Sequence, residues 1–192
     1  MRDWHDLRYL QTGTPRQQQA YAAITQLGIL TALQAFGPVL AGTIPLAIDV
    51  AGSDLDFICE VPEAELGAFG QLLRRHYGRL PSFSLAEASF QGLPTVVASF
   101  EAVSFAWEVF GQPRPVARQH AVRHLQVEYA VLQAGGEPWR VAAQQLKQQG
   151  LKTEPAFARL LQLPGDPYEA LLRLEQLSPA ELYDLLQQRP IA

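Results

Sequence analysis

The chain has 192 residues, of which 48% are hydrophobic and 18% charged, which excludes a disordered, collagen-like or coiled-coil protein. The length fits one domain, or one domain with an appended subdomain. The net charge of −4 argues against a duplex-DNA-binding protein, and the single Cys59, which allows no internal disulfide, is typical of a reducing compartment.

Apolar runs and helix caps divide the chain into two parts. No apolar run reaches the length of about 18 residues that a membrane helix needs, so we expect a cytoplasmic protein without a membrane span. The first part is predicted to contain a helix over 14–36 with a Thr14-Pro15 cap, an apolar run at 39–41, a loop over 44–53, a strand over 54–61, a helix from 62, and strands over 82–90, 95–100 and 103–110.

After Gly111-Gln112-Pro113 the pattern becomes helical and stays so. Helices are predicted over 115–134, 138–149, 154–162, 167–176 and 179–188. Asp166 and Ser178 stand at two of the predicted starts as caps, each followed by Pro at the first helical position. We therefore predict a fold of the α/β (α+β) class, with an α/β domain over 1–112 and a C-terminal helical subdomain over 113–192.

Two carboxylates on one strand are the most informative feature. Period-two alternation directs Asp54 and Asp56 to the same face of the strand, about 7 Å apart. Like charges held there repel each other unless a cation or proton lies between them, and Mg²⁺ prefers such oxygen ligands. The alternative interpretation is a strand with one hydrated face, on which both aspartates are simply solvated.

Residues on either side favour the cation. Gly42-Thr43, ten residues before Asp54, offers backbone N–H groups and a hydroxyl to phosphate oxygens. Glu108 lies in an otherwise apolar strand, where an acid is costly to bury unless it is paired or bound to metal. Glu101 is the alternative third acid, at a strand edge. Together these features describe a two-metal site for phosphoryl transfer.

The pattern Gly42-Thr43…Asp54-Leu55-Asp56…Glu108 resembles the polymerase-β-like nucleotidyltransferase superfamily. The order of helix, strand, loop, strand, helix and strands over roughly 16–112 is also similar to the minimal fold of that superfamily. Among its members, the chain is most similar to small bacterial proteins of the antibiotic adenylyltransferase type, including uncharacterised ones. The resemblance implies a mixed sheet flanked by helices.

The resemblance also implies an activity and a site. The activity would be Mg²⁺-dependent transfer of a nucleoside monophosphate from a nucleoside triphosphate to a hydroxyl of a small molecule or protein. Asp54, Asp56 and Glu108 would hold two Mg²⁺ ions and be catalytic, with Glu108 either completing the second metal site or acting as general base. The expected nucleotide-binding residues are Gly42, Thr43, Ser53, Arg114, Arg118 and Arg123.

Other candidates are weaker, and a non-catalytic function remains an alternative. His120 and His124 have the i, i+4 spacing of metal ligands but lack a third ligand. Thr153 is expected to be a helix cap rather than part of an anion site, and Cys59 to be buried rather than nucleophilic. The alternative function is an inactive nucleotidyltransferase fold that binds a ligand or partner.

Overall fold

A computed structural model of the protein describes residues 2–189 and 191, and it contains one five-stranded sheet followed by helices. The strands are β1 (Val39–Ala41), β2 (Leu55–Glu60), β3 (Ser84–Phe90), β4 (Leu93–Ala102) and β5 (Phe105–Gln112). The helices are α1 (Pro15–Leu27), α2 (Ile29–Leu33), α3 (Leu66–Tyr77), α4 (His120–Gln148), α5 (Thr153–Leu160), α6 (Pro167–Leu172) and α7 (Pro179–Gln187).

The sheet has the order β1-β2-β5-β4-β3 and mixed strand directions. Strand β2 pairs with β5 in parallel, whereas the other neighbouring strands are antiparallel. This mixed sheet with flanking helices and a C-terminal helical part confirms the predicted fold class.

The chain divides into two compact units. The first comprises residues 1–45 and 52–122, and it contains the whole sheet with α1, α2 and α3. The second comprises 46–51 and 123–192. In the second unit, Gln144 donates a hydrogen bond to the carbonyl of Asp49 at 2.9 Å, and Arg140 donates to the carbonyl of Leu46. The short segment 46–51 is thereby attached to α4.

The predicted helix over 14–36 is interrupted at Gly28. Gly28 has φ +68°, a left-handed conformation that glycine adopts without steric cost, and its N–H closes α1 on the carbonyls of Ile24 and Thr25. The chain then forms the short helix α2 and a 3₁₀ turn. The predicted cap is confirmed, because Thr14 forms a reciprocal capping box with Gln17.

The second part of the chain follows the predicted order, with shifted boundaries. The helix predicted over 115–134 begins at His120, after a 3₁₀ turn over Val116–Arg118. It is contiguous with the helix predicted over 138–149, except for a break at Gly136. The predicted caps Asp166 and Ser178 both accept hydrogen bonds from backbone N–H groups of the following turn. The helix predicted over 167–176 ends as an α-helix at Leu172 and continues as a 3₁₀ turn to Gln176.

The two faces of the sheet differ in character. Leu55, Phe57 and Cys59 of β2 face the hydrophobic core, where Trp107 and Val109 of β5 join them. We call this the core face; α1, α2 and α3 contribute to the same cluster. The opposite side, the open face, carries Asp56, Ile58 and Glu60 of β2, as the predicted alternation required. No helix within the described residues is both long and apolar enough to cross a membrane.

Packing between α3 and the core face generates a stability prediction. A methyl group at Gly111 would overlap the ring of Phe69 and the side chain of Val61, so Gly111→Ala should destabilise the fold by about 1–3 kcal/mol. Gly67, which is exposed in α3 with open space around it, is the matched control. Gly67→Ala should stabilise the protein by up to about 1 kcal/mol through helix propensity. Thermal unfolding of both variants measures the difference, and similar melting temperatures would contradict this packing.

Candidate functional site

Asp56 and Glu108 occupy directly paired positions on neighbouring parallel strands. Asp56 of β2 is the register partner of Glu108 of β5, so both side chains leave the open face side by side. Both are half-buried. Two carboxylates therefore lie next to each other on a rigid element, at the centre of the sheet.

Asp54 adds a third negative charge from the residue before the start of β2. Burial is the main cause that raises the pKa of the Glu108 carboxyl, and the negative charge of Asp54 raises this pKa further. Asp54 is exposed and lies on the same face as Asp56 by alternation. The structure thus brings the three predicted acids to one end of the open face.

Glu101, the alternative third acid, lies farther away. It belongs to β4, where its register partner is Ala106 of β5, and it is exposed. Glu101 is thus two strands from β2, whereas Glu108 stands directly beside Asp56. The register therefore favours Glu108 as the third acid of the group.

The turn after β1 lies against the same carboxylates. Ala41 is the register partner of Asp56, so Gly42 follows directly beside it. Gly42 has φ +77°, and a Cβ there would overlap the carboxylate of Asp56. A glycine is needed on both counts. Thr43 is buried, and its hydroxyl donates a hydrogen bond to the Ser53 hydroxyl at 3.1 Å, which closes the ends of the loop.

Gln17 is a residue of this region that the sequence analysis did not identify. It is buried, and its Nε2 donates to the carbonyl of Ile44 at 2.8 Å and to that of Pro45 at 3.3 Å. Its Oε1 meanwhile accepts from the N–H of Thr14 at 3.0 Å. Gln17 therefore ties the start of α1 to the loop that follows Gly42-Thr43. The Thr14-x-x-Gln17 capping pattern was the only signal in the sequence, and it says nothing of this contact.

The predicted arginines have other neighbours. Arg114 lies beyond the paired residues Glu60 and Gln112, at the opposite end of β2 from Asp54, and donates to Gln91 at 2.6 Å. Arg118 ends the 3₁₀ turn that follows. Arg123, in the second unit, forms a two-pronged ion pair with Glu175, with contacts of 2.7–3.2 Å. The described contacts give these arginines no part in the carboxylate group, and their nucleotide-binding role stays a prediction.

The weaker candidates are also placed. Nδ1 of His120 lies 2.6 Å from Nε2 of Gln91, and His124 pairs with Glu154 at 3.5 Å, so the two histidines have separate partners. The cap expected at Thr153 is wrong: Lys152 occupies the cap position, and Thr153 is the first residue of α5, where its hydroxyl accepts a hydrogen bond from Lys147 at 2.9 Å. Cys59 is fully buried, and burial raises the pKa of its thiol to about 12, as expected for a packed side chain rather than a nucleophile.

The donor set of the carboxylate group suits Mg²⁺ bound together with phosphates. Among residues 2–189 and 191, no group of three or more His, Cys, Asp or Glu side chains is placed so that it could hold a metal ion, and the two-metal site expected of Asp54, Asp56 and Glu108 stays a prediction. Mg²⁺ is typically bound through one or two carboxylates, and water and substrate phosphates complete its octahedron. Asp54, Asp56 and Glu108 supply oxygen ligands of that kind, and the Gly42-Thr43 turn lies beside them for a phosphate.

The fold is that of the nucleotidyltransferases to which this chain is structurally similar. One is a Cid1 structure described as providing a basis for RNA terminal uridylyl transferase activity, with a TM-score of 0.53 and 10% identity over 87% of this chain and 53% of that chain. Another is Cid1 poly(U) polymerase with Mg 3'-dATP bound, with a TM-score of 0.52 and 10% identity over 82% and 48%. A third is a GLD-2/RNP-8 complex, with a TM-score of 0.51 and 12% identity over 95% and 68%.

The chain spans about half the length of the Cid1 structures, and the low identity makes the likeness one of fold. A family model matches residues 22–174, and the chain belongs to that family, described as a domain of unknown function (DUF4269). A comparison with curated proteins finds no match. The resemblance to the nucleotidyltransferase superfamily is supported at the level of the fold, whereas the narrower antibiotic adenylyltransferase group stays a prediction.

The raised pKa of Glu108 generates a prediction about pH. The folded protein holds this proton more tightly than the unfolded chain, so the resulting stabilisation is present below the unfolded pKa and is lost as the pH rises through the folded pKa. Glu108→Gln should therefore gain in melting temperature relative to the natural protein as the pH rises. We expect a gain of about 2 °C, since about 1 kcal/mol of charge repulsion is removed.

Glu101→Gln is the matched control, since it removes an exposed carboxylate from the same face of the sheet. Its melting temperature should follow that of the natural protein at every pH. Asp54→Asn should reduce the effect of Glu108→Gln, because Asp54 is the second cause of the raised pKa. A gain in melting temperature that does not depend on pH would show that ionisation of Glu108 does not destabilise the fold.

Proposed function

We propose that the protein is a Mg²⁺-dependent nucleotidyltransferase that moves a nucleoside monophosphate from a nucleoside triphosphate to a hydroxyl acceptor. The observation that carries the proposal is the pairing of Asp56 with Glu108 on adjacent strands, with Asp54 close to Glu108 and Gly42 against Asp56. A fold shared with Cid1, described with Mg 3'-dATP bound, supports it.

Each residue of the group has a function in this proposal. Asp54 and Asp56 bind the Mg²⁺ ions that accompany the triphosphate, with Glu108 as a third ligand or as general base. When bound, Mg²⁺ neutralises the charge that develops on the phosphate oxygens during transfer. The backbone of Gly42-Thr43 binds the phosphates, and the hydrogen bond between Thr43 and Ser53 holds that loop closed.

The reaction needs no covalent intermediate on the protein. The acceptor hydroxyl oxygen attacks the α-phosphorus, an O–P bond forms, and the bond to the leaving pyrophosphate breaks. The hydroxyl proton passes to the carboxylate of Glu108, which acts as the general base. Positioning and charge compensation supply most of the rate enhancement in such a site.

Asp56→Asn tests the proposal directly. In the natural protein, a nucleoside triphosphate with Mg²⁺ should raise the melting temperature, and slow release of nucleoside monophosphate and pyrophosphate should be measurable with water as acceptor. Asp56→Asn should abolish the Mg²⁺-dependent shift and slow the release by about 10²–10³-fold.

Glu60→Gln is the matched control, because Glu60 lies on the same strand and face as Asp56 but is exposed at the other end. It should keep the nucleotide shift and the release rate. Equal shifts in the natural protein and in Asp56→Asn would exclude catalysis by this group and favour the non-catalytic binding function instead.

Gly42→Ala tests the phosphate-binding turn. Both Gly42 and Gly52 have positive φ, at +77° and +86°, so alanine is strained at either position. Only at Gly42 does the new methyl group reach Asp56; at Gly52 nothing lies within 4 Å. We expect both variants to lose about 1–2 kcal/mol of stability, but only Gly42→Ala to lose nucleotide binding. Titration of each variant with Mg²⁺–ATP, followed by thermal shift, compares their nucleotide affinities. Equal affinities would contradict the proposal that the Gly42-Thr43 turn binds phosphates.

A further inference from the structure

Side chains on the open face form rows across the sheet, and the row of the carboxylates has a direction. Following the register from β1 to β3, this row is Ala41, Asp56, Glu108, Ser99 and Ser84. Gly42, the proposed phosphate turn, follows the first of these residues. The polar part of the row therefore continues from the carboxylates towards β4 and β3, away from that turn.

In an in-line transfer, the triphosphate and the acceptor lie towards opposite ends of this row. The attacking and leaving oxygens lie on opposite sides of the phosphorus. Because the proposed triphosphate turn lies on the β1 side of Asp56, the attacking hydroxyl has to approach from the other side, over β5, β4 and β3. The acceptor would then rest on the open face of those three strands.

That part of the open face is apolar, and it is exposed on β3 and half-buried at Val97 and Phe110. Next to the carboxylate row come Phe110 of β5, Val97 of β4 and Ala86 of β3, followed on β3 by Ala88 and Phe90. We call these five residues the apolar platform. Phe90 is 50% exposed, and its ring meets that of Phe110 edge to face, with centroids 5.5 Å apart. Among the described residues of the first unit, Phe90 is the one large hydrophobic side chain that is exposed.

The tip of the β3–β4 hairpin bends towards this face. Gln112 of β5, which lies on the open face, donates to the carbonyl of Phe90 at 3.0 Å. This contact holds Phe90 over β5, although its own strand is two positions away in the sheet. Phe110 thus lies beside the carboxylate row, and Phe90 lies at the end of the platform that is farther from Glu108.

Charge on the strands decides what kind of acceptor fits. In the described strands there is no Lys or Arg, and their charged residues are all acidic: Asp56, Glu60, Glu87, Glu101 and Glu108. Four of these five lie on the open face. A polyanion such as RNA would be repelled there, whereas an ammonium group would be attracted. The nearest cation in the sequence beyond β5 is Arg114, which donates a hydrogen bond to the neutral side chain of Gln91, directly after Phe90 and away from the carboxylates.

We infer that the apolar platform binds the acceptor, and that the acceptor is a small molecule carrying its hydroxyl on a flat apolar or aromatic body with no net negative charge. This inference rests on the proposed function, since the carboxylate row gives the platform its place in the reaction. Aromatic side chains bind flat apolar groups by stacking, and the neighbouring acids favour a positive charge.

Tyramine and 3-(4-hydroxyphenyl)propionate form a suitable pair of probes, because they share a phenol and differ in the sign of their charge. A third probe is an oligoadenylate RNA. Binding of each to the full chain is measured by NMR titration, and the Mg²⁺–ATP thermal shift is measured separately. We expect tyramine to bind more tightly than either anionic probe, and Phe90→Ser to weaken tyramine binding by about tenfold.

Tyr183→Ser is the control, since Tyr183 is 51% exposed on α7 in the second unit, and it should leave tyramine binding unchanged. Phe110→Leu, which keeps the fold's apolar volume, should also weaken binding. The inference is overturned if tyramine does not bind at millimolar concentration, if Phe90→Ser binds it equally well, or if the oligoadenylate binds more tightly. If Mg²⁺–ATP does not raise the melting temperature of the natural protein while tyramine binding still depends on Phe90, the proposed function is overturned and the platform remains a binding surface.

Discussion

The side-by-side placement of Asp56 and Glu108 on paired strands is the constraint on which the site depends. Two parallel strands at the centre of a sheet cannot move apart without breaking the ladder, so the backbone holds both carboxylates together. Burial and the charge of Asp54 make ionisation of Glu108 still less favourable. A folded chain retains such an arrangement at a cost in stability, which a bound cation would remove.

Local patterns were enough to predict the strands, the caps at Thr14, Asp166 and Ser178, and the shared face of Asp54 and Asp56. Period-two alternation placed Asp54 and Asp56 on one face of β2, and the capping box at Ser178 marked the start of α7. Contacts between distant segments could not be predicted in this way. Pairing of β2 with β5, which selects Glu108 over Glu101, depends on strand order, and the bond from Gln17 to Ile44 joins segments 27 residues apart. The hydrogen bond from Arg114 to Gln91 could not be predicted either, because only the folded β3–β4 hairpin brings these two residues together.

The open face combines two kinds of surface that are seldom adjacent. At the β1 side, a glycine turn with positive φ lies against the carboxylate of Asp56. Towards β3, exposed aromatic and small apolar side chains replace them, with no basic residue in the described strands. A single face thus carries two different chemical environments, and the strand register fixes which residues lie in each.

A shared fold does not determine the acceptor. Relatives in fold include polymerases described as acting on RNA, and a polyanionic acceptor needs cationic contacts along its backbone. The described strands carry only acidic charges. Arg123, the first residue of the longer segment of the second unit, forms an ion pair with Glu175. The fold alone therefore does not set the charge that a ligand would meet, because that charge depends on the side chains that the sheet carries.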